Sequence, residues 1–80
     1  MTSGGVVRLL NTSGGPVLAL AGDVDLPAVE AFLLRYGREP ARVDVIDARS
    51  ATSLSPSAVT LIRDHLRSSQ LAGRRVALLQ

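Results

Sequence analysis

Apolar residues of the chain fall into short runs separated by turn-forming residues. Residues 6–10 and 16–21 are mostly apolar and have the length of strands. Between them, Gly14 and Gly15 can adopt positive φ and favour a turn. Pro16, which has no backbone N–H, stands at the start of the second run, where sheet pairing does not require that donor. The pattern therefore predicts a β-hairpin with a five-residue loop, preceded by an irregular small-residue terminus over residues 1–5.

Two later segments have the periodicity of helices. Leu26, Val29 and Leu33 recur at three- and four-residue steps, which predicts a helix that begins after the cap Asp25 and ends at Gly37. Ser55 and Pro56 are a hydroxyl cap and a proline suited to the first helical position, so a second helix is expected from there to Gly73. Its predicted buried positions are Val59, Ile62 and Leu66, with Ala58 and Leu61 alongside.

The remaining apolar runs predict two more strands. Residues 43–47 are β-branched and open into a loop from residue 48, and residues 74–79 return as a last strand. The order ββαβαβ with short connections predicts one α/β domain over residues 1–80. Its sheet is expected to be mainly parallel and opened by an antiparallel hairpin.

Composition excludes several classes of function. Cysteine is absent and His65 is the single histidine, so thiol chemistry and a multi-histidine metal site are excluded, and no cofactor is expected. The net charge is only +2, too small an excess to indicate nucleic-acid binding. No apolar run approaches the roughly 20 residues of a membrane span, and residues 1–5 show no secretory pattern. We expect a cytoplasmic protein without membrane insertion.

Candidate chemistry is concentrated where strands end. Ligand and partner contacts in open α/β sheets gather at the carboxyl ends of the strands. Thr52, Ser53, Ser55 and Ser57 place four hydroxyls within six positions just before a helix N-terminus, which favours a phosphate or a partner's carboxylate. Helix capping within a solvated loop is the simpler interpretation of the same residues.

Other polar residues have a structural and a functional interpretation. In the functional interpretation, Asp23 and Asp25 are a carboxylate pair for acid–base catalysis or for a hard cation. In the structural interpretation, which is favoured, they are a loop residue and a helix cap. His65 is predicted at a solvated helix position, with no nucleophile at a spacing that would make it a catalytic base. For the same reason, a hydrolase or transferase that uses the serine cluster is disfavoured.

Three segments resemble STAS domains, the anti-sigma factor antagonists of bacterial partner-switching systems. Residues 18–26, LALAGDVDL, resemble the family's L-x-G-E-L-D strand exit. Residues 47–59, DARSATSLSPSAV, resemble its D-L-S-x-V-x-x-I-D-S-S-G-L segment without a gap. Residues 73–78, GRRVAL, are similar to its G-x-x-L-x-L strand, so the resemblance runs from about residue 16 to 80.

The resemblance implies a non-enzymatic regulatory module that binds an anti-sigma factor/serine kinase and thereby regulates transcription. Phosphorylation of the first serine of D-S-S-G ends that interaction in the family, because a phosphate adds about two negative charges to the contact surface. The residues that the resemblance assigns to partner binding are Asp23, Asp25, Ser53, Ser55, Pro56, Ser57, Thr60 and Arg63.

The chain departs from the family pattern at the phosphorylated position. Pro56 replaces the serine that accepts the phosphate, Ser55 replaces the preceding aspartate, and Ala58 replaces the glycine. Ser57 and Ser55 are then the nearest candidate phosphoacceptors, and we expect no phosphorylation at the usual position. Family members usually continue through further helices after the fourth strand. A sheet without that cover is expected either to self-associate as a homodimer or to dock stably on a partner through the uncovered surface.

A second interpretation of the resemblance has a different partner. A STAS-like scaffold or accessory subunit of a transporter or stress-signalling complex would use the hydroxyl-rich segment only for structure.

Overall fold

The computed structural model describes residues 4–80. Residues 1–3 of the predicted irregular terminus lie outside the described residues, and Gly4 and Gly5 precede the first strand without regular structure. The predicted order ββαβαβ is confirmed. The elements are β1 (Val6–Thr12), β2 (Gly15–Val24), α1 (Leu26–Tyr36), β3 (Val45–Leu54), α2 (Pro56–Leu71) and β4 (Ala77–Leu79).

The four strands form one mixed sheet in the order β1-β2-β3-β4. β1 and β2 are antiparallel, whereas β2 with β3 and β3 with β4 are parallel. This confirms an α/β fold whose parallel sheet is opened by an antiparallel hairpin. The hairpin is tighter than the predicted five-residue loop, because Thr12 already pairs with Gly15 and only Ser13 and Gly14 turn the chain. Gly15, at φ 111°, supplies the positive φ of this connection.

The third strand is longer than the sequence predicts. Residues 48–54 continue β3 instead of forming a loop, because β2 continues to Val24 and the two strands pair as far as Val24 with Leu54. Two irregularities in register, between Ala19 and Ala21 and between Gly22 and Asp23, each insert one extra residue into β3. Such bulges let a polar, bent segment remain in a sheet. β4 is shorter than predicted, with only three residues.

The core lies between one face of the sheet and the two helices. Val7 pairs with Leu20 and Leu18 pairs with Ile46, so these side chains share the face on which the helices pack. α1 contacts β1 and β2, α2 contacts β3, and the helices contact each other. The buried core residues are Val7, Leu18, Leu20, Val24, Val29, Phe32, Val43, Ile46, Ala58 and Leu61.

The buried side of α2 differs from the predicted one. Val59 was expected in the core but is 40% exposed, while Ile62 and Leu66 are only partly buried. The predicted solvated position of His65 is wrong, because this side chain is 2% exposed. Ala58, Leu61, His65 and Ser69 form the buried line at steps of three, four and four residues. A pattern of apolar residues alone misses this line because two of its four members are polar.

Candidate partner-binding site

The carboxyl ends of β2 and β3 bring Asp23 and Ser53 together. The two residues are neighbours in register, and Ser53 Oγ donates a hydrogen bond to Asp23 Oδ1 at 2.5 Å. Both are exposed. Without the two extra residues in β3, the register that pairs Ala19 with Asp47 would place Ala51 opposite Asp23. The bulges therefore create this carboxylate–hydroxyl pair.

Two of the predicted partner-binding residues cap the chain's own helices. Asp25 Oδ1 accepts a hydrogen bond from Ala28 N at 3.0 Å at the start of α1. Ser55 Oγ accepts one from Ala58 N at 3.2 Å at the start of α2. Both capping predictions are confirmed. These oxygens are engaged in satisfying helix N–H groups, so they contribute less to an external contact than a free side chain would.

The first turn of α2 contributes one wall of a groove of about 430 Å³ between the two helices. Pro56, Ser57 and Thr60 lie on this wall, and Leu26 and Val29 of α1 line the same groove. Pro56 and Thr60 are exposed and Ser57 is half-buried. Glu30, Arg38 and Asp64 line the groove as well, so it combines apolar side chains, hydroxyls and charged groups.

The predicted residues therefore fall into separate groups around one end of the sheet. Asp23 and Ser53 form the carboxylate–hydroxyl pair, and Pro56, Ser57 and Thr60 line the groove. Arg63 is exposed further along α2 and lines neither of these features. Of the two candidate phosphoacceptors, Ser55 is used as a cap, which leaves Ser57 with the freer hydroxyl.

Both ring nitrogens of His65 are used within the fold. Ala41 N donates to Nε2 at 3.1 Å, and Nδ1 lies 2.9 Å from the carbonyl oxygen of Leu61. A backbone N–H only donates and a carbonyl only accepts, so Nδ1 carries the proton of a neutral imidazole. Neither nitrogen is free to activate a serine. Among residues 4–80, no group of three or more His, Asp or Glu side chains is arranged to hold a metal ion.

An ion pair on the sheet was not predicted from the sequence. The Arg49 guanidinium donates to both carboxylate oxygens of Asp47, at 3.1 and 3.0 Å, and the Arg49 backbone N–H donates to Oδ1 at 3.0 Å. These hydrogen bonds hold the pKa of Asp47 below its ordinary value. Arg49 lies in the first register irregularity of β3, between Asp47 and Ser50, so the regular alternation of a strand does not identify this pair from the sequence.

A close backbone approach next to Asp23 was also missed. A Cβ added to Gly5 would overlap the carbonyl oxygen of Asp23 and lie 2.8 Å from the Cα of Val24. Gly4, in contrast, has no atom within 4 Å of an added Cβ. Gly5 thus allows the chain before β1 to pack against the residue that carries the site carboxylate.

Comparisons with protein-family models, curated proteins and solved structures found no match. The resemblance to STAS domains accordingly depends on the three sequence segments and their order. In residues 4–80, neither helix is long and apolar enough to cross a membrane.

Proposed function

We propose that the chain is a non-enzymatic regulatory binding module of the STAS, anti-sigma factor antagonist kind. Its partner is an anti-sigma factor/serine kinase that docks at the carboxyl ends of β2 and β3 and on the first two turns of α2. The observation that carries the proposal is the hydrogen bond between Asp23 and Ser53. It holds side by side the two segments whose sequences resemble the family's motifs, at the end of the sheet where partners of α/β folds bind.

A binding role fits this surface better than catalysis does. Activation of a serine requires a base within hydrogen-bond reach. The one imidazole of the chain is buried and bonded to Ala41 N and Leu61 O, and the carboxylate of Asp25 caps α1. The Asp23 carboxylate accepts a hydrogen bond from Ser53 Oγ, but within residues 4–80 no third side chain bonds to Asp23 and orients it as a base. The exposed hydroxyls and the exposed Arg63 remain available as hydrogen-bond partners for another protein.

The regulation proposed for this module lacks the usual phosphorylation step. Pro56 occupies the acceptor position and has no hydroxyl, and Ser55 is bonded to Ala58 N. Binding is then constitutive and is set by the abundance of the partner. If a kinase does act here, Ser57 is the acceptor, because it lies beside Pro56 in the first turn, where a helix N-terminus stabilises a phosphate.

The docking surface is tested by charge reversal. Asp23→Lys and Arg63→Glu are each expected to weaken binding to the kinase by about tenfold or more, measured by calorimetry, because both residues are exposed on the proposed contact. Arg75→Glu is the matched control, since Arg75 is exposed before β4, at the opposite end of the sheet. All three variants should melt like the parent. Equal affinity of the three variants would exclude this surface.

The switch and the partner class are tested together. Incubation with the kinase and ATP, followed by intact-mass analysis, should give no added phosphate of about 80 Da. A gain that Ser57→Ala removes would instead show a displaced phosphoacceptor. Affinity capture that returned a transporter ATPase in place of an ATP-binding anti-sigma protein would favour the scaffold or accessory-subunit interpretation.

A further inference from the structure

The last two turns of α2 and the segment before β4 line a cavity, which we call the β4 cavity. Its volume is about 290 Å³, and its lining residues are Leu66, Ser69, Gln70, Arg74, Arg75 and Val76. Ser69 is 1% exposed and Arg74 is half-buried. Because β2, β3 and β4 run parallel, this cavity lies at the opposite end of the sheet from Asp23 and Ser53.

Two residues of the β4 cavity have a buried polar atom without a hydrogen-bond partner among residues 4–80. The two atoms are Ser69 Oγ and Arg74 Nη1. A buried polar group without a partner destabilises a fold, and the cost is larger for a charged group. Buried polar groups are therefore nearly always hydrogen-bonded. Two exceptions beside one cavity indicate an acceptor that the fold itself does not supply.

The β4 cavity also has positive charge without a matching anion. Arg74 and Arg75 both line it, and none of its lining residues is acidic. The one ion pair in the described part of the chain joins Arg49 to Asp47, so neither cavity arginine is paired with a carboxylate. A guanidinium stays protonated in proteins, so the two arginines contribute two positive charges.

Stabilisation of the helix end does not account for the Arg74 guanidinium. Basic side chains near a helix C-terminus can donate to its last carbonyl oxygens. At the end of α2, the carbonyl oxygens of residues 68–70 already accept hydrogen bonds from the backbone N–H groups of residues 72–74. Arg74 Nη1 donates to none of them. This nitrogen is therefore available to a ligand.

We propose that the β4 cavity binds the phosphate group of a small phosphate monoester. A phosphate monoester has a charge of about −1.5 to −2 at neutral pH, which matches the two arginines, whereas a carboxylate would neutralise only one. Its oxygens accept hydrogen bonds from a guanidinium, and Ser69 Oγ is a further donor. Leu66 and Val76 are the apolar part of the lining, against which the organic part of the ester packs. The volume lies at the lower limit of small-molecule sites, so the ligand is small.

Entry of the phosphate requires movement of side chains. Ser69 Oγ and Arg74 Nη1 are closed to solvent in this arrangement. Gln70 and Arg75 also line the cavity and are exposed. Exposed side chains change rotamer within nanoseconds. We therefore expect rotation of these side chains to admit the anion to the two unpartnered atoms.

Binding is tested by calorimetric titration of the 80-residue chain with n-butyl phosphate in a chloride buffer of constant ionic strength. We expect one saturable site with a dissociation constant below about 10 mM, because a ligand of few atoms binds weakly. Arg74→Met should weaken binding by about tenfold and Ser69→Ala by about threefold, because each removes a hydrogen-bond donor. Arg67→Met is the matched control and should bind like the parent, since Arg67 is exposed on α2 and does not line the cavity.

Thermal unfolding separates a binding role of Arg74 from a role in the fold. Without phosphate, Arg74→Met should melt no lower than the parent, because it removes a cation whose buried Nη1 has no partner. Saturating n-butyl phosphate should raise the Tm of the parent and of Arg67→Met equally and leave that of Arg74→Met nearly unchanged. A lower Tm of Arg74→Met without ligand, with an equal rise on adding it, would show that Arg74 stabilises the fold and would overturn the proposal.

Two other anions test the ligand class. Butyrate has a carboxylate on a similar carbon chain and should bind at least about tenfold more weakly than n-butyl phosphate, because it carries a single charge. Inorganic phosphate lacks the carbon chain and should bind about threefold more weakly. Butyrate that binds as tightly as the ester would overturn the assignment to phosphate, and inorganic phosphate that binds more tightly would overturn the assignment to an ester. Equal binding by the parent, Arg74→Met and Arg67→Met would show nonspecific attraction to a basic chain.

This inference does not depend on the proposed function. The β4 cavity and the Asp23–Ser53 pair lie at opposite ends of the sheet, so Arg74→Met is expected to bind the kinase like the parent. Arg75→Glu, the control for kinase docking, should likewise keep kinase binding but lose phosphate binding. Failure of either proposal is therefore visible without the other.

Discussion

At the scale of single residues, the polar side chain of His65 connects several parts of the fold. It is buried on α2 and joins that helix to the segment before β3, since Ala41 N donates to its Nε2. Phe32 of α1 lies edge-on to the imidazole, with 6.3 Å between ring centroids. One side chain thus connects both helices and an inter-element segment.

Replacement of His65 should separate its hydrogen bond from its packing. His65→Phe keeps an aromatic ring but leaves Ala41 N–H without a partner, which is expected to lower the free energy of unfolding by about 1–3 kcal/mol. His65→Gln retains an acceptor and should lose less. Urea unfolding of both variants measures the difference. A His65→Phe protein at least as stable as His65→Gln would show that the hydrogen bond to Ala41 contributes nothing.

Residue roles were predictable where the signal is local. Asp25 and Ser55 were identified as caps because a capping side chain and its N–H partner lie three residues apart. The partner of His65 Nε2 is 24 residues away along the chain. Sequence periodicity carries no information on such a contact, so this histidine was assigned to solvent.

At the scale of elements, the helices are better predicted than the strands, because helix ends depend on neighbouring residues and strand ends depend on distant ones. The start of α2 at Pro56 follows from Ser55 and Pro56 themselves. The end of β3 at Leu54 follows instead from its pairing with Val24 of β2. The hydroxyls of residues 50–53 favour a loop locally, and the hydrogen bonds offered by β2 override that preference. The position of Ser53 beside Asp23 depends on bulges that no local pattern shows.

The N-terminus of α2 gives a prediction at this scale. Ser55→Ala removes the oxygen that accepts from Ala58 N and should lower the free energy of unfolding by about 1 kcal/mol. Ser57→Ala, two residues later, removes a hydroxyl that is not a helix cap and should change the free energy of unfolding by less than about 0.5 kcal/mol. Thermal or urea unfolding compares the two variants. Equal losses would mean that Ser55 is not the residue that stabilises the start of α2.

At the scale of the whole molecule, the two helices cover one side of the sheet, and Asp23 and Ser53 lie at the carboxyl ends of β2 and β3. The buried aliphatic core between sheet and helices holds these strand ends in place.

Phe32 is the side chain through which this core is best tested. It is 4% exposed, and its ring centroid lies 4.9 Å from that of Tyr36. Phe32→Ala should cost about 3–5 kcal/mol. A domain of this size has only about 4–12 kcal/mol in total, so we expect a largely unfolded or marginally stable protein. Leu34→Ala, at an 89% exposed position of the same helix, is the control and should cost less than about 0.5 kcal/mol.

Urea unfolding, followed by circular dichroism, measures the free energy of unfolding of both variants. If Phe32→Ala does not fold, Phe32→Leu should lose an intermediate amount of this free energy that can still be measured. The loss should appear as a single transition moved to lower urea, because α1, α2 and the sheet share one core. A Phe32→Ala protein with the same midpoint as Leu34→Ala would show that the aliphatic layers alone hold the helices on the sheet. A second transition would show that α1 unfolds separately from the rest.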